Sequence, residues 1–123
     1  MHKIENIGRN SLYIKATGTL PQSEAEVFVK DFEEKTKDLE KFSVIVDLLD
    51  AAFLDLAGFN TLLALLKKDN ERLIKSAFVI AQNPPLDAEF KIMLERAASP
   101  DRKIVHTLDE AKEWLDISDI IIQ

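Results

Sequence analysis

The chain has 123 residues, 46% apolar and 31% charged, with a net charge of −6 and no cysteine. That length buries a full core as one domain over 1–123, and the lack of cysteine removes disulfide and thiol chemistry. The acidic balance argues against nucleic acid, whose binding rests on cationic contacts to phosphate. No apolar run approaches membrane-spanning length and the first five residues hold no signal-peptide core, so a cytoplasmic protein without a membrane span is expected.

In chain order, Lys3 to Gly8 reads as a short edge strand and Gly8-Arg9-Asn10 as a turn. Ser11 to Thr17 alternates, with Leu12, Ile14 and Ala16 on one face and Tyr13, Lys15 and Thr17 on the other, the period of a half-buried strand. The two segments could pair as an antiparallel hairpin, and Gly18 to Pro21 is expected to stop the second. Ser23-Glu24-Ala25-Glu26 has the form of a capping box, which predicts a helix beginning there and running to about Leu39. Ala25, Phe28, Val29, Phe32 and Leu39 form its apolar stripe.

Ser43 to Leu48 is β-branched and almost continuously apolar, as in a central strand covered on both faces. Leu49 to Leu54 reads as a turn and short apolar segment. Asp55 then suits an N-cap, and Leu56, Phe59, Leu62, Leu63 and Leu66 mark a helix extending to about Arg72. Ser76 to Ala81 is a second buried strand, stopped by Asn83-Pro84-Pro85. Leu86, Phe90, Met93, Leu94 and Ala97 mark a third helix, ended by Ser99-Pro100-Asp101. Lys103 to His106 is a last short strand, and Thr107-Leu108-Asp109-Glu110 caps a final helix lined by Leu108, Ala111, Trp114 and Leu115. The tail, residues 117–123 with Ile120-Ile121-Ile122, is apolar enough to need cover from its own sheet or from a second copy in a homodimer. The order β-β-α-β-α-β-α-β-α predicts an α/β fold with a mostly parallel sheet of four to five strands.

The strand ending in Asp47, the segment to Phe53-Leu54, Asp55-x-Ala57-Gly58, the leucine-rich helix and the closing Thr107 to Ala111 cap together resemble the STAS superfamily. Its best-known members are bacterial anti-sigma-factor antagonists, and SpoIIAA-like and SEC14-like proteins are its broader relatives. The resemblance implies a SpoIIAA-like fold and a non-enzymatic, regulatory interaction module. Its partner would be a protein, in the antagonists an anti-sigma-factor kinase. In those antagonists an Asp-Ser-Ser-Gly motif carries a serine that the kinase phosphorylates, which adds about −1.5 to −2 charges at a helix N-terminus. Matched position by position, Asp55 and Gly58 are kept, Leu56 replaces the first serine and Ala57 the acceptor. Alanine has no hydroxyl, so that switch is not expected here; Thr61, one turn on, is the alternative acceptor. The docking residues implied are Asp50, Phe53, Asp55, Leu56, Ala57, Gly58, Asn60 and Thr61.

Asp47, Asp50 and Asp55 fall near the C-terminal end of the central strand, where α/β sheets bind ligands. Three carboxylates could hold magnesium, but each also has an ordinary use as a cap or surface acid, and no metal or other cofactor is expected. His2 and His106 have no partner ligands nearby in sequence, and the three glycines are scattered, so neither zinc nor a phosphate loop is indicated. No nucleophile stands with a base and an orienting group, so no catalytic residue is assigned. The alternative to a docking module is a protein that binds a small apolar, lipid-like ligand. It rests on the SEC14-like resemblance and on the large apolar residues Phe78, Phe90, Met93 and Leu94.

Overall fold

The computed structural model describes residues 2–8, 10–81, 83–98 and 100–116, and of residues 53 and 54 the backbone alone. The apolar tail at 117–123 lies outside the described residues. Strands β1 (His2–Gly8), β2 (Ser11–Leu20), β3 (Phe42–Leu54), β4 (Leu73–Val79) and β5 (Arg102–Val105) form one sheet in that spatial order. β1 and β2 are the antiparallel hairpin, with Ile4 opposite Ile14, and Asn10 turns the chain at φ 63°. Asparagine tolerates that left-handed conformation because its short amide can hydrogen-bond locally. The remaining strands pair in parallel.

Helices α1 (Gln22–Thr36), α2 (Leu56–Asp69), α3 (Pro84–Ala97) and α4 (Leu108–Leu115) complete the predicted alternation. Parallel neighbours joined in sequence order by crossovers of one hand place their helices on one face. α1, α2 and α3 cover that face, where Phe32, Phe59, Leu63, Phe90 and Met93 meet Leu12, Ile14, Val44, Leu48 and Phe78. α4 covers the other, setting Ala111 and Leu115 against Ile45, Ala77, Val79 and Val105. The period-2 alternation of the strands feeds both layers.

The structure corrects several boundaries. β2 does not stop at Gly18: that glycine takes φ +73° in a register shift, and pairing resumes with Leu20 opposite Leu54. Leu49 to Leu54 is therefore strand, because β2 offers it a ladder. Ser23 is not the N-cap of α1. The helix begins at Gln22, Pro21 occupies the cap position, and the Pro21 carbonyl accepts from Ala25 N at 3.0 Å. α1 ends at Thr36 and α2 at Asp69, both about three residues early. There Arg72 bridges them, donating to the carbonyls of Thr36 and Leu39. That clasp frees Leu73 to begin β4 ahead of Ser76.

The caps at Asp55, Asn83 and Thr107 all form, the last with Glu110 N donating to Thr107 Oγ1 at 3.1 Å. Among the described residues no helix is long and apolar enough to cross a membrane.

Candidate functional site

The corner between β3 and α2 is built by two backbone devices. Asp55 Oδ1 accepts from Gly58 N at 2.6 Å, and the Asp55 carbonyl accepts from Phe59 N at 2.9 Å, which closes the first turn. Gly58 is buried against β2, where a Cβ would lie 2.7 Å from the carbonyl oxygen of Leu20. This contact requires glycine and fixes how α2 leaves the sheet. Phe59 points into the core, with the Arg96 guanidinium 5.8 Å from its ring centre.

With Phe59 turned inward, Leu56 is left outward and 77% exposed, the most exposed of the large apolar side chains among the described residues. Asn60, one turn on, is exposed beside it. Ala57 is half-buried, and Thr61 Oγ1 donates back to the Ala57 carbonyl at 3.0 Å. The Thr61 hydroxyl is thus engaged with its own helix. Asp55, Leu56, Ala57, Gly58, Asn60 and Thr61 occupy one continuous cap and first turn. Asp50 is exposed on β3, where its carboxylate meets Lys15 Nζ at 3.1 Å and raises that amine's pKa. Phe53 contributes backbone to β3, and its side chain lies outside the described residues.

The three carboxylates therefore have separate uses. Asp55 caps α2, Asp50 pairs with Lys15, and Asp47 is buried. Asp47 Oδ1 accepts from Leu49 N at 3.0 Å, and its Oδ2 accepts from the hydroxyl of Tyr13, which is itself buried. Burial first, and then the Asp47 hydrogen bond, push the Tyr13 pKa well above its ordinary value. Among the described residues no group of three or more acids or histidines stands together as a metal site. Sequence reasoning placed Tyr13 on the polar side of β2 and missed this pair. The signal would have been the β2–β3 register, which sets Tyr13 beside Ile45 and two residues from Asp47.

Asn83 was also missed as a brace. Its Nδ2 donates to the Ala52 carbonyl at 2.9 Å while its Oδ1 caps α3, tying the β4–α3 loop to the end of β3. His106 Nδ1 donates to the Ile80 carbonyl at 3.0 Å, and Trp114 Nε1 donates to the Ser76 carbonyl at 3.0 Å. His106 thus braces the end of β4, and Trp114 ties α4 to its middle. On the opposite side of the sheet from α4, a partly open cavity of about 80 Å³ lies beneath α1, α2 and α3. Phe78, Phe90 and Met93 line it, and Leu94 packs nearby in the same core.

No family model matches this chain, and no curated protein matches it. Solved structures do. One is an uncharacterised protein of the DUF3478 family with a SpoIIAA-like fold from Shewanella loihica PV-4 (20% identity, TM-score 0.70, 94% of this chain and 95% of that one). A second is the anti-sigma factor antagonist SpoIIAA in its unphosphorylated form (13% identity, TM-score 0.61, 94% and 96%). A third is the murine anion transporter Slc26a9 (16% identity, TM-score 0.66), of which 87% of this chain covers only 18%. The fold is SpoIIAA-like, as the sequence pattern implied.

Proposed function

We propose that this chain is a non-enzymatic, cytoplasmic interaction module whose protein partner docks on the first turn of α2 and the adjoining end of β3. Leu56 carries the proposal: a leucine 77% exposed on a turn rigidly fixed by the Asp55 cap and the Gly58–Leu20 contact. Exposed apolar anchors on rigid elements, rimmed by polar groups such as Asn60 and Asp50, are what protein interfaces use. Likeness in fold to an anti-sigma factor antagonist supports a partner of the anti-sigma-factor kinase class. Ala57 occupies the acceptor position, so the module acts without a phosphoserine switch there. To test this, a partner is first identified by crosslinking and the purified pair measured by calorimetry. Leu56→Asp should weaken binding at least roughly tenfold, as expected for an interface anchor. Ile92→Asp, at an exposed apolar residue of α3, should not. Unchanged affinity in Leu56→Asp and in charge-reversed Asp50 would place the interface elsewhere.

The cavity under α1–α3 favours a second reading, a binder of a small apolar ligand. Native interiors hold few voids larger than a water molecule. Saturable occupancy of the cavity by a small probe, seen in methyl NMR, is the test of that reading.

A further inference from the structure

The cavity is not uniformly apolar. Phe28 and Phe32 of α1, Leu62 and Leu66 of α2, Met93 of α3 and Phe78 of β4 are among its apolar walls. The wall turns polar at the C-terminal end of α2, with Asp69, Ser76 and Arg102, and at His2 of β1.

Arg102 is already engaged. Its Nε and Nη2 donate to Asn70 Oδ1 at 3.3 and 3.2 Å, and Nη2 also donates to the Leu66 carbonyl at 3.0 Å. Nη1 reaches Ser76 Oγ at 3.5 Å. Asp69 is different. Its side chain is 8% exposed, and Oδ1 stands 3.5 Å from Arg72 Nη1. Oδ2 is buried with no hydrogen-bond partner. An orphaned buried acceptor is uncommon in folded proteins and costs stability. His2, which also lines the cavity, has a buried Nδ1 without a hydrogen bond, but its ring already stands 2.7 Å from the Asp31 carboxylate and 3.6 Å from that of Glu24, so Asp69 Oδ2 is the acceptor left unmet. An apolar chamber with such an acceptor in its wall has the form of a ligand site, in which apolar surface supplies affinity and a few polar groups fix orientation.

We propose that this cavity binds a small apolar molecule carrying one hydrogen-bond donor, of the short aliphatic alcohol class, with its hydroxyl donating to Asp69 Oδ2. A carboxylate ligand would face Asp69 itself. A cationic ligand would enter a region where Arg72, Lys68 and Arg102 already act on that carboxyl. An alkane would fill the chamber but leave Oδ2 unmet. Size sets the length: a chamber of roughly 150 Å³ holds benzene, so about 80 Å³ admits a chain of only a few carbons. This inference rests on the second reading and names its ligand class and anchor.

The test is methyl NMR of the whole chain titrated with 1-butanol and, separately, with methyl propyl ether, its isomer without a donor. Saturable shifts at the Leu62, Leu66 and Met93 methyls are expected from the alcohol, with an affinity about tenfold above that of the ether, the worth of one hydrogen bond to a charged acceptor. Asp69→Leu should erase that preference, and Met93→Trp, which fills the chamber, should abolish saturable shifts at the remaining methyls. Equal affinity for the two isomers, or a preference that survives Asp69→Leu, overturns Asp69 as the anchor while the second reading stands. No saturable shift from either isomer overturns both. The comparison of isomers on the unmodified chain decides the matter even if a variant fails to fold.

Discussion

Gly58 packs so closely against Leu20 that a Cβ at position 58 would lie 2.7 Å from the Leu20 carbonyl oxygen and 3.0 Å from Asp55 Oδ1. The first of these neighbours is backbone at the end of β2, so it cannot swing aside. Gly58→Ala must therefore shift α2 against the sheet. Overpacking of this kind costs about 1–3 kcal/mol, and alanine's better helix propensity returns at most about 1 kcal/mol. A net loss is expected in urea unfolding, and an unchanged midpoint would mean that α2 moves freely at this corner.

The two helix starts read from similar sequence should respond in opposite ways. Asp55→Ala removes an acceptor 2.6 Å from Gly58 N and should cost about 1 kcal/mol, with Asp55→Asn much milder. Ser23→Ala should stay within about 0.5 kcal/mol, as for a surface change that removes no cap. Ser23 is exposed inside the first turn of α1, whose cap position belongs to Pro21. A loss at Ser23 matching that at Asp55 would restore the capping box.

Tyr13 is the one tyrosine of the chain, so its ionisation can be followed alone by phenolate absorbance. Burial and Asp47 raise its pKa in the folded state. The stability this contributes is fully present below the unfolded value, about pH 10, and is lost as pH rises toward the folded one. Phenolate should therefore appear together with unfolding. Tyr13→Phe should be weaker at neutral pH by about 1–3 kcal/mol, since Asp47 Oδ2 loses its donor, but its stability should fall less steeply above pH 10. Phenolate formed in a chain that keeps its native circular dichroism would show the pair to be open to solvent.

What could be read from sequence was local. The inward face of Leu12, Ile14 and Ala16, the apolar stripes apart from Leu39 and Leu56, and the Thr107–Glu110 cap depend on neighbours a few residues apart, and these form as expected. Errors arose where a distant partner decides. Leu49 to Leu54 is strand only because Thr17 to Leu20 lies alongside. Ser23 lost its cap to Pro21, which leads the chain into α1 two residues before the Ser-x-x-Glu pattern requires. The buried Tyr13–Asp47 bond needs β2 and β3 in register with α4 on that face, and no spacing within either strand encodes it. Within the candidate site, the Asp55 cap was legible. The exposure of Leu56 was not, because the apolar stripe of α2 includes it, and only the packing of Phe59 shows which apolar side chain is left out.

Asp69 offers a test of the cavity that needs no ligand. Burial raises its pKa above the usual carboxyl range, against the weaker opposing pull of Arg72, Lys68 and Arg102, while Glu33 adds to the rise. The folded state thus holds the proton more tightly than the unfolded chain does. Stability from this source is present below the unfolded value, about pH 4, and is lost as pH climbs through the folded value. Asparagine carries no such term. Measured by urea unfolding at a series of pH values, Asp69→Asn should gain on the unmodified protein as pH rises from about 4, and the gain should level off once Asp69 is ionised. If the difference instead moves against the variant over that range, the ionised carboxylate is stabilised by Arg72, and the unmet oxygen in the cavity wall is not a liability of the fold.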